Sequence, residues 1–585
     1  MKNIKKLTVT MIVATLLFSC QQKDEKEIID ASSSNKIAST VQQTTSYYGT
    51  TLPFASEAVY FLMTDRFVDG DPSNNQENQG GQFPTFQLPL VSKDGKNKAF
   101  VGYMGGDFKG ILDNAQYISD MGFTSIWLTP IVDQPDQSFS GGEQIEFGGA
   151  FKDGGKTGYH GYWGDNFYQV DEHLPSKDLS FKQLTHRLKQ NFQIKTVLDV
   201  VLNHGSPAFS MPVAQEKYGK IYDENWTLIA DQSNLPAEQL SDNNPLHDFY
   251  NRKTEIVQLS DINENNPAAL DYFVGAYLKW IDQGADAFRI DTIKHMPHSF
   301  WKKFSDRIRQ QHPDFFMFAE SYSFDAKFIA QHTYPENGGV SVLDFPGRET
   351  LLKIFENKNS NYADIKSYLH LTDGIYQNPY ELMTFYDNHD MSRMNATASG
   401  FIDAHNWLFT SRGIPVIYYG SEIGFMAGTK EHEGNRNYFG EENITQAKTN
   451  QIAIALGKVA NIRKNSIALQ KGLQVNLLLK DNKAAFMRIY EHQEKFQTAL
   501  VLLNKGDHPA TFEINKYLSS GKWVDAIGGD IKILENNSNL SVEVAPHNLA
   551  VYLLHDKNQN LELRQRLDQL MVTDKKLTTA GFSND

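Results

Sequence analysis

Eight short apolar runs, each parted from the next by a stretch with helical or loop character, constrain this chain more than any other feature. They are AVYFLMTDRF (58–67), SIWLTP (125–130), KTVLDVVLNH (195–204), ADAFRID (285–291), FFMFAES (315–321), VSVLDF (340–345), LMTFYDNHD (382–390) and IPVIYYGSE (414–422). The runs are near-continuous rather than alternating, as in parallel strands covered on both faces. Helix-like segments at 108–121, 178–191, 267–282, 299–311 and 401–412 lie between them. Strands alternating with helices in this number predict an α/β fold, a (β/α)8 TIM barrel, set here at 53–470. About sixty residues rich in Asn, Asp and Gln follow the third run. They are too many for a plain loop and predict an inserted subdomain at about 205–262. Past 475 the texture changes to short alternating runs with turn signals, such as AAFMRIYEH, TALVLLNKG and NLSVEVAPHNLAVYLL. These predict a C-terminal antiparallel β-sandwich at 471–557, with a helix or frayed tail at 558–585.

The N-terminus reads differently. Lys2, Lys5 and Lys6 precede an apolar stretch from about Leu7 to Phe18, then Ser19 and Cys20, the one cysteine of the 585 residues. That stretch is too short to span a bilayer and reads as a signal peptide. LFSC resembles the bacterial lipoprotein cleavage box, which implies lipidation at Cys20 and an N-terminal lipid anchor in a membrane. The expected location is extracytoplasmic, at the outer membrane, and the KDE that follows resembles a surface-export signal. Residues 21–52 read as a flexible tether. A single cysteine leaves no disulfide within the chain. A net charge of −14 with no long basic run argues against nucleic acid and suits a neutral or cationic ligand. Aromatic residues make up 12% of the chain, enough to serve as core filling or as stacking platforms.

In a barrel of this type, functional side chains gather where strands end. The third run ends in Asp199, Asn203 and His204, the fourth in Arg289 and Asp291, the fifth in Glu320, the seventh in Asp387, Asn388, His389 and Asp390. Buried carboxylates are costly unless paired or used, so four acid-bearing strand ends on one face point to chemistry. Positions 289 and 291 share one side of a strand. An arginine there favours an ionised Asp291, while the apolar neighbours of Glu320 favour its protonated form. A carboxylate nucleophile and a carboxylic acid donor about 5–5.5 Å apart are what retaining glycoside cleavage requires.

DVVLNH (199–204), AFRIDTIKH (287–295), FAES (318–321) and FYDNHD (385–390) resemble, in order, the four signature regions of the α-amylase family, family 13 of the glycoside hydrolases. The resemblance runs from about residue 57 into the C-terminal sandwich. It implies Asp291 as nucleophile, Glu320 as general acid/base and Asp390 as the third acid, with His204 and His389 bonding the same sugar. TGYHGYWGDNF (157–167) matches the segment in which a tyrosine, here Tyr162, stacks beneath that sugar, flanked by His160 and Trp163. Lys294 and His295 match contacts beyond the cleaved bond, and Arg436 matches a sugar-binding arginine. The family often places Asp four residues before that arginine; here the position is His432, and Glu431 or Glu433 can substitute.

DRFVDGDPSNN (65–75) sets Asp69, Asp71, Asn74 and Asn75 in one loop of hard oxygen donors that suits calcium. It resembles the calcium loop of cyclodextrin glucanotransferases and related amylases, which implies Gly105 (through its carbonyl) and Asp107 as further ligands. A second calcium is implied at Asn203, Asp261 and the His295 carbonyl. The expected substrate is an α-glucan polysaccharide or oligosaccharide, and the expected reaction is hydrolysis of internal α-1,4 bonds. LSDIN in place of MPKLN, little sequence ahead of the barrel and no room for the extra domains of cyclising enzymes favour this reading. So does Val257, where cyclising enzymes have Tyr or Phe. The alternatives are a cyclomaltodextrinase or neopullulanase, a maltooligosaccharide-forming enzyme, an α-glucanotransferase, and a non-catalytic starch-binding lipoprotein.

Overall fold

Each of the eight runs supplies one parallel strand: β1 Val59–Leu62, β2 Ser125–Leu128, β3 Lys195–Val200, β4 Ala287–Ile290, β5 Phe316–Ala319, β6 Ser341–Val342, β7 Met383–Thr384 and β8 Ile414–Tyr418. The computed structural model describes residues 46–149, 152–535 and 538–580, so the lipidation expected at Cys20 lies outside the described residues. Neighbours follow the order β6-β5-β4-β3-β2-β1-β8-β7, and a parallel bridge from Leu343 to Met383 nearly closes the ring. Every strand residue but Lys195 is buried, which accounts for the unbroken apolar text of the runs. Aromatic side chains fill the barrel below its strand ends. Phe61 stacks on Trp127 at 3.8 Å, Trp127 meets Phe318 edge-on at 5.5 Å, and Phe61 lies 5.1 Å from Tyr418.

Helix starts are written locally. Ser180 and Gln183 form a capping box at helix Phe181–Phe192, Asn266 caps Pro267–Asp282 with proline in the first turn, and Thr397 caps Ala398–Thr410. The strands are shorter than their runs. The first stops at Leu62, and Thr64–Phe67 forms a helical turn; the seventh keeps only Met383–Thr384. What reads as apolar strand beyond these points is loop, buried because longer loops cover it.

The insert is pinched at its neck. His204–Pro207 pairs antiparallel with Leu259–Asp261, setting His204 opposite Asp261. Two further connections are long, which the sequence did not signal. Residues 63–107 carry the hairpin Pro89–Val91 and Lys98–Phe100, and residues 129–180 carry the pair Val132–Asp133 and Asn166–Val170. The tether, set at 21–52, is also corrected: from Ser46 onward the chain is docked. Tyr47 exchanges two backbone hydrogen bonds with Glu491, at 2.8 and 2.7 Å, and Gly49 donates to Lys471.

The C-terminal region is a six-stranded antiparallel sheet faced by the pair Ala510–Ile514 and Leu540–Val544. Phe512, Leu540 and Val542 pack with Leu500, Leu502 and Trp523 to make the sandwich core. Helix Leu561–Ala580 buries Leu563 and Leu567 in the same core.

One ion-pair cluster ties the sandwich to the barrel. His547 Nδ1 lies 2.7 Å from Asp403 of helix Ala398–Thr410, and Nε2 lies 3.1 Å from Asp507. The Asp403 hydrogen bond is the main cause that pushes the imidazole up to about 8, while burial pushes Asp403 up to about 6. The His547 value in the fold exceeds its ordinary 6.5, so its stabilising contribution is complete below that pH and is lost as pH rises through about 8. His547→Gln is therefore expected to lower the melting temperature more at pH 6.5 than at pH 9. An equal drop at both values, in paired calorimetric scans, would remove the charged clamp.

Candidate active site

Strand register brings the acids together. Ile290 of β4 pairs with Val200 of β3 and Ala319 of β5, so the next residues on β4 and β5, Asp291 and Glu320, emerge at one level. Arg289 pairs with Asp199 directly across the ladder. Its guanidinium is fully buried and spans three carboxylates. Nη1 donates to Asp199 at 2.9 and 3.1 Å and to Asp291 at 2.7 Å; Nη2 donates to Glu320 at 3.0 Å. Asp199 also accepts from the Trp127 indole at 3.1 Å and the Tyr162 hydroxyl at 2.8 Å. The Tyr162 ring lies parallel to His389, 5.3 Å away, and His204 Nε2 stands 4.0 Å from Asp291. Directly after Asp291, Thr292 holds φ +48, a strained value for a β-branched residue, and its N–H faces Glu320 at 3.4 Å.

Electrostatics separate these groups. Burial opposes the charge on Arg289, but Asp199, Asp291 and Glu320 hold it charged. Burial pushes Glu320 up to about 8; Arg289 opposes this, and the neighbouring Asp291 and Asp390 add to it. Burial likewise lifts Asp199 to about 7 against the same guanidinium. His160, His204 and His389 are all lowered by burial and remain neutral at neutral pH. The site therefore offers a proton-bearing Glu320 beside a carboxylate in an arginine clamp, with neutral imidazoles around both. That combination can protonate a leaving oxygen while a second oxygen attacks.

A cleft of about 250 Å³ opens over the group, lined by His160, Tyr162, Trp163, His204, Asp291, Glu320, His389, Asp390 and Arg436 among others. Arg436 donates to Asp390 at 2.7 Å and reaches Glu431 at 2.9 Å, so Glu431 supplies the carboxylate expected near position 432. Burial would raise Glu431, but Arg436 and His432 hold it well below the usual carboxylate range. Lys156 stands 3.7 Å from Glu431, and Asp153 and Lys156 form a polar end wall that sequence reading missed. Both sit in a glycine-rich loop with no motif, far in the chain from the residues they meet. Asp199 had shown only as a strand-end acid, and its clamp with Arg289 depends on register. Lys294 and His295 lie at the rim on a short 3-10 turn: Lys294 donates to the Tyr322 carbonyl at 3.0 Å, and His295 approaches Glu255 at 3.2 Å. Tyr322 and Phe324, just past Glu320, are 42% and 41% exposed, an aromatic shelf also missed in the sequence.

The oxygen-rich loop fits a cation in part. Asp69 Oδ1, Asn74 Oδ1 and Asn75 Oδ1 are buried with no hydrogen-bond partner, and a Cβ on Gly105 would fall 2.7 Å from Asn75 Oδ1. Unpaired hard acceptors around a glycine-sized gap fit calcium. Two expected ligands fit less well. Asp107 already accepts from the backbone N–H groups of Gly70, Asp71 and Gly110 and from Asn74, capping a helix. Asp71 is turned onto Ser73. At the second expected site, Asn203 has both side-chain polar atoms buried and unpartnered, whereas Asp261 accepts from Asn251 and the Glu255 N–H.

Residues 61–464 match the family described as alpha amylase, catalytic domain. The cyclomaltodextrin glucanotransferase of Klebsiella oxytoca is 28% identical over 565 residues, covering 89% of this chain and 79% of that protein. Its counterpart from Thermoanaerobacterium thermosulfurigenes is 28% identical over 563 residues, covering 92% and 70%. Among solved structures, CldA, described as the first cyclomaltodextrin glucanotransferase with a three-domain ABC distribution, matches with a TM-score of 0.68 at 26% identity, covering 86% of this chain and 99% of that one. The α-amylase of Geobacillus thermoleovorans complexed with acarbose matches with a TM-score of 0.62 at 25% identity, covering 86% and 99%.

The orphaned oxygens predict a calcium-dependent melting temperature. Calcium at 100 times its dissociation constant would add about 2.7 kcal/mol of stability. EDTA is expected to lower the calorimetric midpoint, and Asp69→Ala to abolish the calcium-dependent part. A midpoint that ignores both would take calcium away from this loop.

Proposed function

Because the chain belongs to the α-amylase catalytic-domain family, we propose that it hydrolyses internal α-1,4-glucosidic bonds of starch-type α-glucans with retention of configuration. The observation that carries this reading is the Arg289 clamp, which binds Asp291 and Glu320 at once beneath a cleft lined by both. Two carboxylates held by the two ends of one guanidinium fit the short separation of a retaining pair, about 5–5.5 Å, better than the wider inverting one. Asp291 attacks the anomeric carbon as Glu320 passes its proton to the departing oxygen, forming a glucosyl ester on Asp291. Glu320, now a carboxylate, takes a proton from water, whose oxygen displaces Asp291 and regenerates both groups. Asp390 and the neutral His204 and His389 hydrogen-bond the distorted sugar, and Tyr162 stacks beneath it. Calcium, bound through Asp69, Asn74, Asn75 and the Gly105 carbonyl, would serve as a structural tie.

Polar and aromatic groups on both sides of the acids support cleavage within a chain rather than at its end. Asp153, Lys156 and Glu431 lie on the Asp390 side; Lys294, Tyr322 and Phe324 lie beyond Glu320. Glucanotransfer is the second reading, favoured by the similarity to cyclomaltodextrin glucanotransferases and by the exposed Tyr322–Phe324 shelf, which could hold a sugar acceptor against water. Domain number does not separate the two activities, since CldA is described as a cyclomaltodextrin glucanotransferase with a three-domain ABC distribution. Val257, which lines the cleft without an aromatic ring, favours hydrolysis. The complete acid set disfavours a purely binding role. The LFSC motif supports a lipid anchor at Cys20 and an extracytoplasmic location.

Chromatography of products from starch, pullulan and β-cyclodextrin tests the choice. Linear maltooligosaccharides from starch, first formed as α anomers, are expected; cyclic products would replace hydrolysis with transfer, and panose from pullulan would point to a neopullulanase. Glu320→Gln is expected to cut kcat by about 10²–10⁴-fold, the usual range for a lost acid/base, and Asp291→Asn by at least as much. Since Glu320 must carry its proton and is lifted to about 8, kcat/KM should fall as pH rises through about 8. A profile flat to pH 10 would assign the proton elsewhere.

A further inference from the structure

On the inserted subdomain, strands Lys220–Tyr222 and Leu228–Asp231 form a hairpin whose corner carries Trp226 at φ +62. The turn is closed by a hydrogen bond from the Trp226 N–H to the Asp223 carbonyl at 3.0 Å, and the Asp223 side chain accepts from the N–H groups of Asn225 and Thr227. A left-handed residue after such a turn is ordinarily glycine or asparagine, because a Cβ crowds the backbone there. Tryptophan is strained in that position, and its indole is also 45% exposed. Neither cost is offset by a core contact of the kind that retains tryptophan elsewhere in this chain, where Trp127, Trp280 and Trp301 are fully buried.

The indole is held in place all the same. The Tyr222 ring lies 5.8 Å away, and the Lys217 ammonium sits 5.3 Å from the indole centroid. Lys217 is itself left-handed, at φ +71, and is fixed by Asp133 at 3.0 Å, Asp136 at 3.1 Å and Asp165 at 3.9 Å. The hairpin is tied down by three side-chain bonds to its carbonyls: Asn166 to Asp223, Gln169 to Glu224 and Tyr272 to Tyr222. An aromatic ring that is exposed, strained and yet immobilised has the properties of a pre-organised ligand platform. None of these residues lines the catalytic cleft.

We propose that Trp226, with Tyr222 beside it, is a non-catalytic binding site for an α-glucan chain on the face of the insert. The choice of glucan rests on the function proposed for the cleft; the presence of a platform does not. A pyranose ring offers one face of C–H groups and a rim of hydroxyls. It matches an indole bordered by the polar groups of Lys217, Glu224 and Asn225. A protein partner would call for a wider apolar patch, and Trp226 is the one large apolar side chain of this hairpin turn that stands exposed.

Depletion of protein from solution by raw starch granules tests the proposal, in the Asp291→Asn background so that the granules are not digested. Trp226→Ala is expected to raise the dissociation constant about tenfold, the loss typical of truncating an aromatic anchor, and Trp226→Phe to retain part of the affinity. Trp226→Gly should lose the same affinity while holding or raising the melting temperature, because glycine relieves the left-handed corner. Unchanged granule binding by both the Ala and Gly variants would overturn the site. Sugar release by the wild-type chain reads the cleft alone, so a failure of catalysis and a failure of this platform are scored separately.

Discussion

The structure depends on a charge placed where charge is most expensive. Arg289 is fully buried near the top of the barrel, and the carboxyl oxygens of Asp199, Asp291 and Glu320 that accept from it make that position tolerable. The dependence runs both ways. Asp199 is buried among Trp127, Tyr162 and the strand backbone, and without the guanidinium it would be a desolvated anion with neutral donors only. Coulomb attraction in so dry a place is strong, but it barely offsets the loss of water, so removing any one member leaves the others uncompensated. The clamp is therefore a weak source of net stability and a strong source of geometry. It fixes which oxygens of Asp291 and Glu320 are occupied and which face the cleft.

Holding those oxygens takes more than two strands. The register of β3, β4 and β5 sets the heights of Asp199, Arg289 and Glu320, and the aromatic layer of Phe61, Trp127 and Phe318 fills the barrel beneath them. The insert returns to the barrel through a two-strand neck that presses His204 against the same site. Loops from β2 and β8 close the opposite end, where Arg436 bridges Asp390 and Glu431 and Lys156 neutralises the surplus acid. The barrel supplies positions; the loops decide what fits between them.

What could be read in the sequence follows from how local its cause is. Arg289 and Asp291 share a face because strand periodicity is two residues, and that rule needs no tertiary information. The eight strands showed themselves because burial on both faces leaves few polar positions. Strand ends were overrun for the same reason: residues 64–67 and 385–389 are as buried in loop and turn as they would be in strand. The Asp199–Arg289 bond, the Lys156–Glu431 contact and the docking of Tyr47 on Glu491 join distant segments, and each depends on register or loop path that no local pattern encodes. The oxygen-rich loop at 69–75 was legible as a donor set, but not which donors point inward. Asp107 matches the ligand pattern, and its carboxylate also accepts from three backbone N–H groups as a helix cap, which the pattern does not reveal.

The same distinction bears on whether water or a sugar takes the glucosyl group. Under the proposed mechanism both outcomes would use one ester on Asp291 and one base, Glu320, and would differ in what occupies the space beyond Glu320 when the ester is ready to break. Tyr322 and Phe324 offer exposed apolar surface just past Glu320, on which a sugar ring would displace water. In the cleft lining, Val257 at φ +43 and the adjoining Ile256 present aliphatic groups in place of an aromatic ring. A chain with no ring at position 257 to wrap around is held less firmly in direction there, so returning the end of the same chain to the ester would carry an orientational entropy cost. Water carries no such cost. The contrast between the exposed aromatic pair past Glu320 and the aliphatic Ile256 and Val257 of the cleft lining is thus a physical argument for the proposed preference for hydrolysis over ring closure.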